Sequence, residues 1–446
     1  MAVAAPPRRS RHLFPRLRVG APALPRAVWA LLAVALILRV GLVAATIDTP
    51  LTLDPADFSR NGVSFAQGEG LPPSNRAPAG GPSAYRPPAY PMFVGAVYAV
   101  AGQEAPPVAR LAGALLGTLS VGLIGLIAAR IWGRRVGVVA VGIAAIAPPL
   151  VVMSTALISE ALFVPLVLAA VATALEARRS DHPLRWVVAT GVLVGMAELT
   201  RTNAVLLILP LGLAVWTARP RRHPRALVAP VLLVTCAVLT VAPWTIRNAL
   251  VVHRFVPVST EIGYTLAGTY NQASRADRHW PAVWKEAEHG ASPEYSPLVF
   301  YASVQRWDEV TFGERLLDAA LADIRSDPAY LLKVAWWNGV RMFHLGELDF
   351  AVANLRDTSI PAGPAWLEIV GFYALGVLAL VGLCTRRARQ APAWLWLVPV
   401  CLAATVFVTG FIRFRAGIDP FLVMLAALAV AGIAEAAPRV GRRFPR

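Results

Sequence analysis

Ionisable side chains collect at the edges of the apolar runs of this sequence, and carboxylates and arginines are prominent among them. Asp54 and Asp57 follow the first apolar run, and Glu160 begins a later one. An ionisable group at such a position is costly unless it is paired or has a function. A guanidinium can bind a phosphate through two parallel hydrogen bonds, and a carboxylate beside it can accept a proton from a hydroxyl. The arginines at comparable positions are Arg86, Arg201, Arg247, Arg413 and Arg415.

The apolar runs that must position these residues are long enough to cross a membrane. Hydrophobic residues make up 57% of the chain and charged residues 15%, which is too apolar for a soluble protein of 446 residues. A span needs about 20 apolar residues. The sequence therefore predicts an all-α polytopic membrane helix bundle of about ten transmembrane helices. We place them at 27–46, 108–130, 136–156, 160–177, 186–200, 203–218, 226–244, 365–384, 393–411 and 418–435.

The net charge of +16 comes largely from short arginine clusters that follow alternate runs. Such clusters mark cytoplasmic loops, so both the basic N-terminus, 1–26, and the basic tail, 438–446, are expected in the cytoplasm. Because the charge is not spread along one face or helix, we expect no nucleic-acid partner. The pattern indicates a multi-pass membrane protein, and we expect it in the plasma membrane. The other clusters lie near Arg134, Arg178, Arg221 and Arg387.

Two long segments then lie on the outer side of the membrane. The first outer loop, 47–107, belongs to a transmembrane module, 27–244, and a helical outer loop domain, 245–363, precedes the C-terminal transmembrane helices, 364–437. The apolar run Pro88–Gly102 is only about 15 residues long, which favours a juxtamembrane helix along the outer surface. A crossing at this run would also place every later arginine cluster outside.

Short motifs follow one another along these outer ends in a particular order. Asp54 comes after the first helix, Phe58 four positions later, then a G-x-G at Gly68–Gly70 and an R-P-P-x-Y-P box that begins at Arg86. This order resembles the GT-C superfamily of polyprenyl-phosphate-sugar-dependent membrane glycosyltransferases. It is similar to the branch of lipid A aminoarabinose transferases and protein O-mannosyltransferases. Further boxes in family order are Ser159–Glu160, Leu199–Arg201, Pro243–Asn248 and Arg413–Arg415.

The sequence also departs from the family pattern. Phe58 stands where the family commonly has a tyrosine, so a hydroxyl is missing there. In the last box Phe414 replaces a tyrosine, and Gly417 stands in the place of a proline. Asp57 adds a second acid beside Asp54. These departures leave the order of the boxes intact.

The resemblance implies a GT-C-like module over 27–244 and transfer of a sugar from a polyprenyl-phosphate donor to an extracytoplasmic acceptor, with inversion. It implies that Asp54 is the catalytic acid after the first helix, and we interpret Glu160 as a second catalytic residue. The expected site faces the extracytoplasmic side. The residues expected to bind substrate are Asp57, Tyr85, Arg86, Arg201, Arg247, Arg413 and Arg415.

Other interpretations of these residues stay open. Asp54 can be a helix N-cap ahead of Pro55, and Glu160 can simply favour the N-terminus of its helix. The arginines can be interfacial side chains that extend to the headgroups. The chain can also be a transporter or flippase of lipid-linked glycans, although paired intramembrane charges in two repeated halves are not evident. A non-catalytic membrane scaffold is the third class.

The expected partners are a polyprenyl-phosphate sugar donor, a lipid, glycan or protein acceptor, and membrane lipid. The sequence has no G-x-x-x-x-G-K-[ST] and no G-x-G-x-x-G after a strand, which favours a lipid-linked donor over a nucleotide sugar. We expect no cofactor, and the need for a divalent metal stays open. His344, Glu347 and Asp349 match no defined metal-ligand spacing and are interpreted as a surface turn.

Overall fold

The helices of the chain account for nearly all of its regular structure. The computed structural model describes residues 26–216, 224–286 and 293–440, and within them there is no β-strand. The first ten helices are α1 Arg26–Ala45, α2 Leu53–Ala66, α3 Ala89–Ala101, α4 Pro106–Trp132, α5 Arg134–Ile146, α6 Pro148–Thr155, α7 Glu160–Ala177, α8 Pro183–Thr200, α9 Ile208–Trp216 and α10 Val228–Val251. The others are α11 Glu261–Thr269, α12 Gln272–Ala276, α13 Ser296–Val304, α14 Glu309–Ser326, α15 Tyr330–Met342, α16 Leu348–Arg356, α17 Ala362–Leu383, α18 Ala393–Ala403 and α19 Asp419–Val440.

Every apolar run predicted to span the membrane contains a helix. In the described part of the chain, the helices α1, α4, α7, α10 and α17 are long and apolar enough to cross a bilayer, and α5 with α6 make a sixth candidate if they form one span. Three further runs form shorter apolar helices: α9 with the 3₁₀ turn before it, α18 with the turn after it, and α19. The run 186–200 lies in α8, which has 18 residues. The all-α membrane architecture is confirmed, while the number ten remains a prediction.

The predicted span 136–156 is broken rather than straight. The helices α5 and α6 meet at an angle of 57°. Ala147, between them, has an extended backbone, and Pro148 and Pro149 follow at the first two positions of α6. A proline has no N–H to continue the ladder of hydrogen bonds, but it fits the first turn of a helix. The two prolines therefore end α5 and begin α6 in a new direction.

Small residues let the apolar helices approach closely. A Cβ added at Gly191 of α8 would lie 2.5 Å from the carbonyl oxygen of Leu233 in α10. A Cβ at Gly137 of α5 would lie 2.8 Å from the carbonyl oxygen of Gly125 in α4. Without a hydrophobic driving force between helices in lipid, such close backbone packing is a main source of association. These contacts hold α8 against α10 and α5 against α4.

Arginine clusters from distant loops meet at one end of this bundle. Arg130 pairs with Glu176 at 2.7 Å, and Arg179 donates to the carbonyl oxygen of Arg130. The indole Nε1 of Trp132 donates to the carbonyl oxygen of Arg387 at 2.8 Å. The clusters near 134, 178 and 387 thus share one end, as the alternating pattern predicts. The clusters at 8–18, 219–222 and 442–446 lie outside the described residues.

The helices α2 and α3 pack against each other near the opposite end. Gly62 of α2 and Gly95 of α3 have no room for a side chain, because an added Cβ would meet Val94 and Phe65. The 13 residues of α3 span about 20 Å, which is less than the roughly 30 Å of a hydrocarbon core. This length agrees with a juxtamembrane helix, although the orientation of α3 to the membrane remains a prediction.

The segment predicted as an outer domain folds around a core of its own. Tyr264, Phe312, Leu316 and Tyr330 are buried together between α11, α14 and α15. The boundary at 245 falls inside α10, which continues without a break to Val251. The helix α10 therefore continues from the transmembrane module into this segment.

Glu309 fastens the first outer loop to this segment. Its carboxylate accepts hydrogen bonds from Ser83 Oγ at 2.7 Å and from the Ala84 N–H at 2.8 Å. Thr260 Oγ1 also donates to it, at 3.0 Å. The two long segments outside the apolar bundle are thus held together by a buried carboxylate.

Candidate active site

Carboxylates and arginines from six parts of the chain form one continuous network, at the end of the bundle away from the Arg130 cluster. They come from α2, the loop before α3, the first residue of α7, the C-terminal end of α8, the first residue of α11 and the 3₁₀ turn Ile412–Gly417. We call this set the charged network. Its members are Asp54, Asp57, Arg86, Glu160, Arg201, Glu261 and Arg413.

Asp54 lies in the first turn of α2 and not at its N-cap. Thr52 occupies the N-cap position, and its backbone N–H donates to Ser359 Oγ at 2.9 Å. Leu53, between them, has a φ of 42°, in the left-handed region that a branched side chain rarely adopts. Backbone strain of this kind costs on the order of 1–3 kcal/mol and clusters at functional sites. The start of α2 is thus held in a strained conformation that directs Asp54 toward the arginines.

Arg86 is the centre of one half of the network. Its guanidinium donates to Asp54, to Asp57 at 2.7 Å and to Glu261 at 3.2 Å. The side chain is only 6% exposed, so these charges are partly removed from water. The two prolines that follow Arg86 favour an extended backbone at this position. The R-P-P-x-Y-P box therefore places one guanidinium against three carboxylates.

Arg413 joins this half to a second one. It pairs with Asp54 and lies 3.9 Å from Glu160, whose side chain is 2% exposed. Arg201 also donates to Glu160. The ring of Phe414 lies beside both guanidinium groups, 4.2 Å from that of Arg201 and 5.5 Å from that of Arg413. Two arginines and two carboxylates thus meet around one aromatic ring.

Opposite charges in the network keep Asp54, Asp57 and Arg413 ionised. Burial raises the pKa of Asp54, but the positive charges of Arg413 and Arg86 outweigh it and leave this pKa well below its usual value. For Arg413, burial lowers the pKa, but Asp54 and Glu160 raise it above its usual value. The pKa of Asp57 is likewise lowered, because Arg86 outweighs the effect of burial. Asp54 and Asp57 are therefore carboxylates at neutral pH.

Aromatic side chains border the network. Tyr85 packs edge-on against Tyr264 at 5.4 Å between ring centroids, and the guanidinium of Arg86 lies 5.1 Å from the Tyr85 ring. The Arg86 guanidinium also lies 4.9 Å from the ring of Phe58. Phe58 thus has a packing role at the position where a hydroxyl is missing. Tyr85 lines the edge of the network.

The structure brings together six of the residues predicted for the site, and Arg247 is not one of them. Arg247 donates to the carbonyl oxygen of Ser83 at 2.8 Å and lies 4.7 Å from the ring of Trp244. It supports the first outer loop instead of joining the carboxylates. The six that meet are Asp54, Asp57, Arg86, Glu160, Arg201 and Arg413.

Arg415 is also absent from the network, although the sequence grouped it with Arg413. Side chains two positions apart in a 3₁₀ turn point in directions about 120° apart, because each turn has three residues. Arg415 therefore points to the other side of the turn, where it pairs with Glu368 and with Asp419 at 2.9 Å. The expected role of Arg415 in binding substrate has no support from this geometry.

Glu261 is a network residue that the motif analysis missed. It begins α11 in the outer segment, where no family box points to it. An acid at a helix start is so common that it carries little functional signal. His344 lies against Glu368 and not with Glu347 and Asp349. Among the residues that the structure describes, no three His, Cys, Asp or Glu side chains gather as a metal site.

The fold and the network define a multi-pass helical membrane protein with a charged site at one end of its bundle. Residues 85–246 match the family model described as dolichyl-phosphate-mannose-protein mannosyltransferase. The match includes Arg86, Glu160 and Arg201 but not Asp54 or Arg413. No curated protein matches the chain.

Solved structures show the same fold. The archaeal oligosaccharyltransferase AglB from Archaeoglobus fulgidus, in complex with an inhibitory peptide and a dolichol-phosphate, superposes with a TM-score of 0.55 at 13% identity, over 94% of this chain and 52% of that one. The apo form of the A. fulgidus oligosaccharyltransferase gives 0.53 at 14% identity, over 92% and 51%. This chain thus spans about half the length of these enzymes. ArnT from Cupriavidus metallidurans gives 0.37 at 18% identity, over 94% and 80%, which is too low to support a shared fold.

The GT-C resemblance predicted from the boxes is confirmed by the family match over 85–246 together with the fold.

Proposed function

We propose that this chain is a membrane glycosyltransferase that moves one sugar from a polyprenyl phosphate to an acceptor on the extracytoplasmic side of the plasma membrane. The observation that carries the proposal is the position of Arg413 between two carboxylates, Asp54 and Glu160. Guanidinium groups, which can bind a phosphate, lie here beside a carboxylate that can accept a proton. The fold and the family match agree with this chemistry.

In this proposal the donor phosphate replaces carboxylates as the partner of the arginines. Arg413 and Arg201 are paired with carboxylates, so a phosphate must compete with Asp54 and Glu160 for them. A phosphate oxygen can replace a carboxylate oxygen on a guanidinium, and a phosphate can use two oxygens to bind one guanidinium in a bidentate geometry. AglB was solved with a dolichol-phosphate, a ligand of the same chemical class. Binding of the donor then releases Asp54 from Arg413.

The exchange strengthens Asp54 as a base. Arg413 is one of the two main positive charges that lower the pKa of Asp54. A bound phosphate neutralises that charge, so the pKa of Asp54 rises toward its usual value and proton transfer to it becomes easier. The base is thus weak before the donor binds and stronger afterwards.

The transfer step then proceeds by direct displacement. The acceptor hydroxyl gives its proton to Asp54, and its oxygen forms a bond to the anomeric carbon. The bond from that carbon to the phosphate oxygen breaks, and the polyprenyl phosphate leaves with the electron pair. Arg413 and Arg201 stabilise the charge that develops on the leaving phosphate. Attack from the face opposite the phosphate inverts the anomeric centre.

Asp54→Asn tests the proposal. The amide keeps the shape of the carboxylate but cannot accept the proton, and a positioned general base contributes about 10²–10⁴-fold. The purified protein in nanodiscs is tested with a panel of polyprenyl-phosphate sugars, and we expect it to release the sugar of at least one of them. The rate of release should be about 10²–10⁴-fold lower in the variant. Asp318→Asn, at an exposed acid of α14, is the matched control and keeps the wild-type rate.

A transport assay in vesicles, run beside the sugar-release assay, separates an enzyme from a transporter or flippase. The bent pair α5 and α6 favours transport, since discontinuous helices are common in transporters. A transporter would carry a fluorescent lipid-linked glycan across a vesicle membrane without releasing its sugar. That result, or an Asp54→Asn protein as active as wild type, would contradict the proposed reaction.

A further inference from the structure

A second group of charges lies behind the turn that carries Arg413. We call the set of His344, Glu368, Arg415 and Asp419 the buried charge cluster. Arg415 Nε donates to Asp419 Oδ1 at 2.9 Å, and Nη2 donates to Glu368. Arg415 Nη1 donates to the carbonyl oxygen of Met342 at 2.9 Å. Each nitrogen of the guanidinium thus has an oxygen partner.

The cluster is almost completely closed to solvent. Arg415 and Asp419 are 1% exposed and Glu368 is 0% exposed. The ring of Phe372 covers the guanidinium of Arg415 at 3.7 Å. Removing one partner from such a pair leaves an uncompensated buried charge, which is strongly destabilising. Loss of one of these charged side chains is therefore expected to destabilise the whole cluster.

His344 completes the cluster from the outer segment. Its Nε2 lies 2.9 Å from Glu368 Oε2, and Tyr373 OH donates to its backbone carbonyl oxygen at 2.6 Å. Burial lowers the pKa of His344, so the ring is neutral and donates Nε2–H to the carboxylate. Glu368 thus binds Arg415 with one oxygen and His344 with the other. It ties the span α17 to the end of α15.

The turn Ile412–Gly417 is fixed from behind by these contacts and by one more. The backbone N–H of Ile412 donates to Asn354 Oδ1 of α16 at 3.0 Å. Only one residue separates Arg415 from Arg413, which faces Asp54 and Glu160 on the other side. A shift of Arg415 therefore moves the backbone that carries Arg413.

We propose that Glu368 and Arg415 are positioning residues that hold Arg413 in place against Asp54 and Glu160. This inference rests on the proposed function, in which Arg413 binds the donor phosphate. A displacement of about 1 Å in a catalytic site can cost about 10²-fold in rate. An apolar cluster of equal volume would hold the helices together as well or better, since buried ion pairs add little net stability. What the charges supply is one fixed orientation of the turn.

The test distinguishes an effect on the position of Arg413 from an effect on the stability of the protein. Glu368→Gln removes one charge and should lower both the melting temperature and the rate of transfer. The triple variant Glu368→Gln, Arg415→Met, Asp419→Asn leaves no unpaired charge and should regain the melting temperature. We expect its KM for the donor to stay raised and its kcat lowered, with kcat/KM about 10²-fold below wild type. Recovery of kcat/KM together with the melting temperature would show a purely structural role and overturn the inference.

A remote ion pair provides the matched control. Arg275 Nη2 donates to Asp323 Oδ2 at 2.6 Å in the outer segment, away from the turn. Asp323→Asn should lower the melting temperature without changing the KM for the donor. An equal rise in KM in this variant would mean that any loss of stability disturbs the site, which contradicts a specific role of Glu368 and Arg415.

Hydrogen exchange distinguishes failure of this inference from failure of the proposed function. If the wild-type protein transfers no sugar from any polyprenyl-phosphate donor, the proposed function fails. The turn can still be measured without a substrate. We expect amide exchange in 412–417 of the triple variant to be at least about tenfold faster, with α4 and α7 unchanged. Unchanged exchange in the turn overturns the inference whether or not the protein is an enzyme.

Discussion

Arg201 is the residue at which the donor site can be tested apart from the base. Its guanidinium donates to Glu160 and to Ser159 Oγ at 3.0 Å, and it makes no contact with Asp54 in the network. Arg201→Ala should therefore raise the KM for the donor more than it lowers kcat. Arg201→Lys should restore part of the affinity, because an ammonium keeps the charge but not the bidentate geometry. Steady-state kinetics with the donor varied measures both.

Two outcomes would count against this role of Arg201. A lysine variant equal to wild type would mean that charge alone matters and that bidentate binding is not used. An alanine variant with unchanged KM would place the donor phosphate elsewhere. Arg254→Ala is the control, since Arg254 is exposed and its ion pair with Glu314 is 3.7 Å long.

The pKa of Asp54 predicts different pH profiles for the free and the donor-bound protein. A carboxylate with a lowered pKa stays ionised as the pH falls, until the pH reaches that lowered value. The acid limb of kcat/KM reports the free protein, and that of kcat reports the donor complex. Since the donor neutralises Arg413 in the proposed mechanism, the acid limb of kcat should lie at higher pH. Rates measured from pH 7 downward test this, and coincident limbs would contradict exchange at Arg413.

At residue scale the sequence predicted which residues meet in the charged network better than it predicted the pairs that they form. The boxes located Asp54, Arg86 and Glu160 because charged groups at the edges of apolar runs are conspicuous. They did not distinguish Arg413 from Arg415, since each residue along a short 3₁₀ turn points its side chain in a different direction. Arg39 was also missed, although it stands inside the first apolar run. It is 0% exposed, and its Nε donates to Ser154 Oγ at 3.0 Å.

At element scale the close contact of α8 with α10 positions Arg201, which follows the last residue of α8. Gly191→Ala would place a methyl group 2.5 Å from the carbonyl oxygen of Leu233. Overpacking of this kind typically costs about 1–3 kcal/mol. We expect a lower melting temperature in detergent and a raised KM for the donor, because the end of α8 must shift.

Gly212→Ala in α9 is the control for this substitution. Nothing lies within 4 Å of a Cβ added there, so the variant should be as stable as wild type or slightly more stable. Equal melting temperatures for the two variants would contradict the packing of α8 on α10. A loss in both would point to a general intolerance of substitution in the apolar helices.

The positions of the elements followed from the sequence, but their breaks and lengths did not. Apolar runs of the right length produced a helix at each predicted span. Pro148 and Pro149 turned one of these runs by 57°, although a proline pair also fits the start of an unbroken helix. The long helix α10 ran past the predicted boundary, since the polar box after Pro243 is compatible with a helix. Tertiary contacts determine whether a helix breaks or continues at such positions.

At the scale of the whole molecule, the arginine clusters predict which end faces the cytoplasm. Those near 134, 178 and 387 share one end, and the charged network lies near the other. Cys236, Cys384 and Cys401 must first be replaced. A membrane-impermeant thiol reagent added to whole cells should then label Ser303→Cys but not Asp181→Cys, because both sites are exposed but lie at opposite ends. Labelling of only the second would invert the topology and move the site to the cytoplasm.

The pair between Arg413 and Asp54 has a consequence for how the protein is made. Ribosomes add about 5–20 residues per second, so Asp54 leaves the ribosome roughly 20–70 s before Arg413 does. The hydrogen-bond partner of Ser83 is also synthesised late, because Glu309 lies 226 positions further along the chain. A nascent chain in the membrane therefore has acids and arginines but no assembled site. Under the proposed function, it transfers no sugar before the segments made last have been inserted.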